Sequence, residues 1–181
     1  MRFQTFIFYS FYSFYSFYSF YSFYSFSAFG NACLLSKYQE YAISQKDWQN
    51  NLTNLIIRNN SEIKDIANLY RDDQILLIDK NLLGVTLLLD KSPNMLNESK
   101  AVSRWLDLDN TKEDKLAKQS STYRKLLNKK NAIKIRNPHP DGDKLRRVMR
   151  NNIITSQEYN NLLSDFRSKV KEINNIKCTA I

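Results

Sequence analysis

Six perfect copies of Phe-Tyr-Ser fill residues 8–25, and no charged residue occurs from Phe3 to Ser36. A repeat of three fits neither regular periodicity. On a helix each residue type drifts by about 60° per copy, so six copies put Phe, Tyr and Ser on every face. On a strand both faces receive the same aromatic mixture, and nothing fixes the register. The run therefore predicts no amphipathic element. Rich in β-formers and lacking charge, Pro and Gly, it has the composition of an aggregation-prone segment.

Three readings of this segment compete. As a signal peptide or membrane anchor, Arg2 would start it and Gly30-Asn31-Ala32 would supply small residues for cleavage before Cys33. Ser at every third place dilutes the apolar character that a spanning helix needs. As an assembly segment it would associate with itself. The exact identity of the copies also fits a nine-nucleotide repeat expanded in the DNA. Sixteen of the 24 aromatic residues lie in the first 29 positions, so the body must fold around an aromatic-poor core. From Lys37 onward roughly 145 residues remain, enough for one modest domain. The expected organisation is an uncharged aromatic segment over 1–36, a basic, mostly helical domain over 37–175, and a tail over 176–181.

Charge is concentrated late. Of the net +9, residues 37–110 contribute −2 and residues 111–181 contribute +10. Within 115–150 twelve basic groups face only Asp141 and Asp143. Such a block suits a polyanion, either nucleic acid or an anionic membrane surface. Twenty Asn and seventeen Lys also have the look of an AT-rich coding sequence, which would enrich Lys without any partner.

Tyr38, Tyr41, Trp48, Leu52, Leu55 and Ile56 recur at helical spacing and predict a helix over 37–58. Asn59-Asn60-Ser61 breaks it and caps a short helix carrying Ile63, Ile66, Ala67 and Tyr70 to about Arg71. The apolar runs 75–78 and 82–89 flank Asp79-Lys80-Asn81, which reads as a β-hairpin with a buried helix as the alternative. Asp72-Asp73 reads as a solvated helix end. Ser92-Pro93 predicts a further helix including Val102, Trp105 and Leu106. Thr111 with Asp114 resembles a capping box for a helix to about Lys130, with Leu116, Ser120, Tyr123, Leu126 and Leu127 inward. On that single helix Lys115, Lys118, Lys125 and Lys129 would share an arc of about 80°. Residues 132–136 alternate like a short strand, and 137–143 form a Pro- and Asp-rich loop. A very basic helix with Arg146, Arg147 and Arg150 follows. Thr155-Ser156-Gln157-Glu158 forms a capping box for a last helix bearing Tyr159, Leu162, Leu163, Phe166, Val170 and Ile173.

Leu145–Leu163, with Asn152-Ile153-Ile154-Thr155-Ser156-Gln157-Glu158-Tyr159 at its turn, resembles the short carboxy-terminal two-helix domains called SHOCT. Asn152 stands where those domains usually have Gly. The resemblance implies an interaction or oligomerisation appendage and no catalysis. Asp107-Leu108-Asp109-Asn110-Thr111 resembles the first motif of haloacid dehalogenase-like phosphotransferases, in which the first Asp is a nucleophile. That motif ends a buried strand, whereas Ser103-Arg104-Trp105 precedes this one, so a helix end with a polar linker is expected. Cys178-Thr179-Ala180-Ile181 fits a C-a-a-X prenylation pattern, with Lys169, Lys171 and Lys177 as a second electrostatic signal. Cys33 and Cys178 show no metal-ligand spacing, and His139 reads as a loop residue. Asn51, Asn59 and Asn97 open glycosylation sequons at the frequency the composition gives by accident.

The expected fold class is mainly α, a small helical domain with a β-hairpin at 75–89, preceded by the low-complexity repeat. The expected function is non-enzymatic, with neither metal nor cofactor. Lys115, Lys118, Lys125, Lys129, Arg146, Arg147 and Arg150 would bind the phosphate backbone of nucleic acid without reading sequence. The alternative is a membrane-associated or exported interaction protein, anchored by the aromatic segment or by a lipidated Cys178. Candidate partners are nucleic acid, an anionic membrane surface, or a protein docked on the carboxy-terminal helix pair. Location stays open, with the cell interior favoured over export.

Overall fold

The computed structural model describes the backbone from Tyr9 to Cys178 and side chains from Gly30 to Cys178. It is a helical bundle, and no strand occurs among the described residues. Six helices follow in order: α1 (Tyr9–Asn59), α2 (Lys64–Lys91), α3 (Asn110–Gln119), α4 (Ser121–Ile135), α5 (Gly142–Val148) and α6 (Gln157–Asn175). The backbone of the Phe-Tyr-Ser copies from Tyr9 belongs to α1, so the boundary expected at 36/37 falls inside one helix. The side chains of the repeat, and with them its membrane and assembly readings, lie outside the described residues. Among the described residues no helix is long and apolar enough to cross a membrane.

Asn60 turns the chain between α1 and α2, its side chain accepting from the Glu62 amide at 3.1 Å. The two helices then run antiparallel. Lys46 pairs with Asp79 at 2.6 Å, and Asn31 donates to the Leu89 carbonyl at 3.1 Å. The expected β-hairpin at 75–89 is replaced by the interior of α2. Ile75, Ile78, Leu82, Val85 and Leu89 recur at spacings of three and four, which is helical. Additional leucines between them make this half of the helix apolar on several sides, as befits one packed between neighbours. Here α1 lies on one side and α4 on another. The supposed turn, Asp79-Lys80-Asn81, is helical because its charges find partners: Asp79 with Lys46, and Lys80 with Glu113.

The helix expected from Ser92 does not form. Residues 92–109 are an irregular segment with two short 3-10 turns, Pro93–Met95 and Val102–Arg104. Leu96 and Val102, six residues apart, would point about 120° apart on a helix, yet both are buried. A wrapped loop lets both turn inward around Trp105, which is fully buried and donates from Nε1 to the Lys100 carbonyl at 3.0 Å. Asp109 also takes a structural place: its carboxylate caps α3, accepting from the Lys112 amide at 2.8 Å, while the backbone carbonyl of Asp107 accepts from Lys112 Nζ at 2.7 Å. The cap is thus Asp109 and not Thr111.

One expected helix over 111–130 is two. Ser120 is extended and ends α3, while its hydroxyl accepts from the Tyr123 amide at 3.2 Å and starts α4. The strand expected at 132–136 is the last turn of α4 and the residue capping it. From Tyr123, which lies against Gly84, to Arg136, which pairs with Asp73, α4 runs antiparallel to α2. Asp73 is accordingly an anchor in the middle of α2 and not a solvated end. α6 is capped by Ser156, one residue later than expected, while Thr155 donates to the Asn151 carbonyl.

Two apolar clusters hold the bundle. One joins Tyr38, Val85, Leu88, Trp105, Tyr123 and Ile173. The other joins Leu55, Ile56, Ile63, Ile66, Leu145 and Ile153. The helix pair resembling SHOCT therefore contributes Leu145 and Ile153 to a core it shares with α1 and α2. α6 lies antiparallel along α1, with Trp48 against both Tyr159 and Phe166. The expected tail is tied down as far as it is described. Lys37 donates to the carbonyls of Asn174 at 3.0 Å and Ile176 at 2.7 Å, and Cys178 is disulfide-bonded to Cys33.

Candidate functional site

The basic block of 115–150 is partly consumed by the fold. Lys130 pairs with Glu113, Arg136 with Asp73 and Lys144 with Glu62, each bond tying one helix or loop to another. The side chains expected to meet a polyanion are different ones. Lys115, Lys118, Lys125, Lys129, Arg146, Arg147 and Arg150 are all exposed. Only Arg146 has a carboxylate partner among the described residues, the neighbouring Asp143.

The seven do not share one helix. The break at Ser120 divides the lysines into a pair on α3, Lys115 and Lys118, and a pair on α4, Lys125 and Lys129. The 80° arc, which assumed a single straight helix, does not exist. Tyr123 beside Gly84 and Arg136 on Asp73 stretch α4 from the carboxy-terminal half of α2 back past its middle. The arginines follow Leu145, which packs with Ile63 and Ile66 near the start of α2. Gly84 lies 18 residues beyond Ile66, roughly 27 Å along the helix axis.

The sequence reading missed a charged cluster under the lysine helices. Lys80 and Glu113 are each only 4% exposed and meet at 2.5 Å, and Lys130 reaches the other Glu113 oxygen at 2.5 Å. Lys80 Nζ also lies 5.7 Å from the centre of the Tyr123 ring. Burial alone would push the Glu113 carboxyl up, but hydrogen bonds from Lys130 and Lys80 outweigh it and hold the group below its ordinary 4.5. Burial, reinforced by the Glu113 carboxylate, pushes the Tyr123 hydroxyl well above its ordinary value, so it stays protonated. The Tyr123 hydroxyl has no hydrogen-bond partner among the described residues. One buried carboxylate between two ammonium groups is a structural clamp.

No family model, curated protein or solved structure matches the chain. Function must therefore be argued from the groups themselves. Among the described residues no three His, Cys, Asp or Glu side chains converge as a metal would require. His139 accepts from the Asp141 amide at 3.1 Å and shapes its loop. Cys178 carries the largest consequence. Its sulfur is bonded to Cys33, 145 residues away, and a sulfur so engaged is not available for a prenyl thioether.

Proposed function

We propose that this is a non-enzymatic helical interaction protein of an oxidising compartment. The Cys33–Cys178 bond carries the reading. Disulfides of this structural kind persist outside the cytosol and are rare within it, where thiols are kept reduced. The bond ties α1 to the segment after α6 and so has a plain stabilising role. It supports the exported form of the interaction-protein reading and argues against the lipidated Cys178. The test is thiol blocking in living cells of the native host before lysis, followed by mass spectrometry of the whole protein. The expected product retains the bond and carries no blocking group at Cys33 or Cys178. Full labelling of both cysteines would overturn the assignment.

A second reading, docking to a phosphate backbone, is favoured by one observation: six of the seven cations expected for it are exposed and lack a carboxylate partner among the described residues. Such contacts position a protein without reading bases. Duplex DNA affinity should fall with a log–log salt slope of about −0.9 per phosphate neutralised. Replacing Lys115, Lys118, Lys125 and Lys129 by Gln should reduce that slope. A slope unchanged by the fourfold replacement would exclude the lysine helices as the contact surface.

A further inference from the structure

The arginine end of the molecule contains a cavity that neither reading uses. It occupies about 470 Å³ between α1, α2, α5 and the turn after α5. That volume lies in the range of small-molecule pockets, about 300–1,000 Å³. Its walls are largely apolar: Leu52 and Ile56 from α1, Ala67 from α2, and Leu145, Met149 and Ile154 from the other side. Arg71, Arg146 and Arg150 also border it. Two large apolar side chains at the same place stay unusually open, Tyr70 at 49% and Ile154 at 48% exposure.

Local backbone geometry builds this wall. Met149–Ile153 forms a π turn, in which the Ile154 amide donates to the Met149 carbonyl at 3.0 Å. Such wide turns are rare and recur at functional sites. Here both ends of the turn, Met149 and Ile154, face the cavity, as does Arg150 between them. Arg150 has no carboxylate partner among the described residues. Among the described residues Arg146 and Arg71 are paired only with the neighbouring, well-exposed Asp143 and Asp72. Exposed pairs of that kind contribute little and exchange easily.

We propose that this cavity binds a single-chain amphiphile with a carboxylate head, its alkyl chain against Leu52, Ile56, Ala67 and Met149 and its head on Arg146 and Arg150. The apolar lining excludes a simple inorganic anion as the preferred occupant. Three cations at the border disfavour a neutral or cationic amphiphile. Arginine matches a carboxylate with two parallel donors, which suits the assignment. The proposal does not depend on the compartment or on the lysine helices.

Titration calorimetry of the full chain with laurate, below its micelle concentration, tests it. Saturable binding of one laurate per chain is expected, with dodecyltrimethylammonium at least tenfold weaker and acetate not competing. Arg146→Gln/Arg150→Gln should weaken laurate at least tenfold without changing the unfolding temperature, because both side chains are exposed. Ile154→Gln, on a half-exposed residue, should weaken it as well while leaving the fold intact. The proposal is overturned by absent saturation, by several laurates per chain, or by equal affinity for the cationic amphiphile. Unchanged affinity in both variants overturns it too, as does capture of anionic vesicles without binding of free laurate.

Discussion

Replacing Glu113 by Gln tests the buried clamp directly. Gln keeps the shape and one acceptor oxygen but removes the only negative charge between Lys80 and Lys130. Lys130 retains a route to solvent at 19% side-chain exposure, whereas Lys80, at 5%, does not. The cost therefore falls mainly on a buried, uncompensated Lys80. Breaking a buried pair by removing one partner costs about 3–5 kcal/mol. A domain of this size has about 5–15 kcal/mol of stability in total, so the loss is a large share of it. Urea unfolding followed by far-UV circular dichroism at neutral pH should show the midpoint falling with the slope unchanged. Lys80→Met/Glu113→Gln removes the stranded charge and should recover most of the loss. The pH dependence supplies a second check. Glu113 has a folded-state pKa below its ordinary 4.5. Its contribution is therefore fully present above 4.5 and is lost as pH falls through the lower folded value. Glu113→Gln should lack that component of acid lability. A single Glu113→Gln change costing less than about 1 kcal/mol would refute the reasoning, because that is the scale of an exposed pair.

Three further outcomes follow from other contacts. A Cβ on Gly84 would sit 3.4 Å from Tyr123 Cε2, an ordinary contact, so Gly84→Ala should stabilise the protein by about 0.5–1 kcal/mol through helix propensity alone; a lower thermal midpoint would contradict this. Tyr123→Phe removes a buried hydroxyl that has no partner among the described residues and should leave stability equal or up to about 1 kcal/mol higher. A loss larger than that in chemical denaturation would reveal a partner for the hydroxyl. Cys33→Ser/Cys178→Ser frees a loop of 145 residues, for which chain entropy predicts a loss of about 5 kcal/mol, read as a lower urea midpoint in the oxidised comparison.

Helix was legible wherever one stretch carried its own stripe. Tyr38, Tyr41, Leu55 and Ile56 marked α1, and Tyr159 to Ile173 marked α6, because surface helices separate apolar from polar residues. The reading failed where partners from elsewhere satisfied a polar group. Lys80 looked like a turn residue because its partner, Glu113, lies 33 positions away. The three-and-four spacing from Ile75 to Leu89 was the available signal, and it was outweighed by the polar trio at its centre. Ser120 looked like part of a helix face, yet it caps the next helix, a choice between two backbone states that side-chain spacing does not reveal. Of the candidate site, the exposed cations were legible as a composition but not as a geometry. Their division into lysines on α3 and α4 and arginines beside a cavity depends on how α4 and α5 pack along α2.

The amino-acid sequence by itself determined that the body is helical, that positive charge gathers in 115–150, and that the Phe-Tyr-Ser copies cannot present a defined amphipathic face. These are local properties of period and charge. Tertiary structure alone decided that Lys80, Glu113 and Lys130 form a buried clamp, that Arg146 and Arg150 border an apolar cavity, and that Cys178 meets Cys33. Each depends on groups distant in the chain being brought within bonding distance, and the antiparallel packing of α1, α2, α4 and α6 is what brings them there.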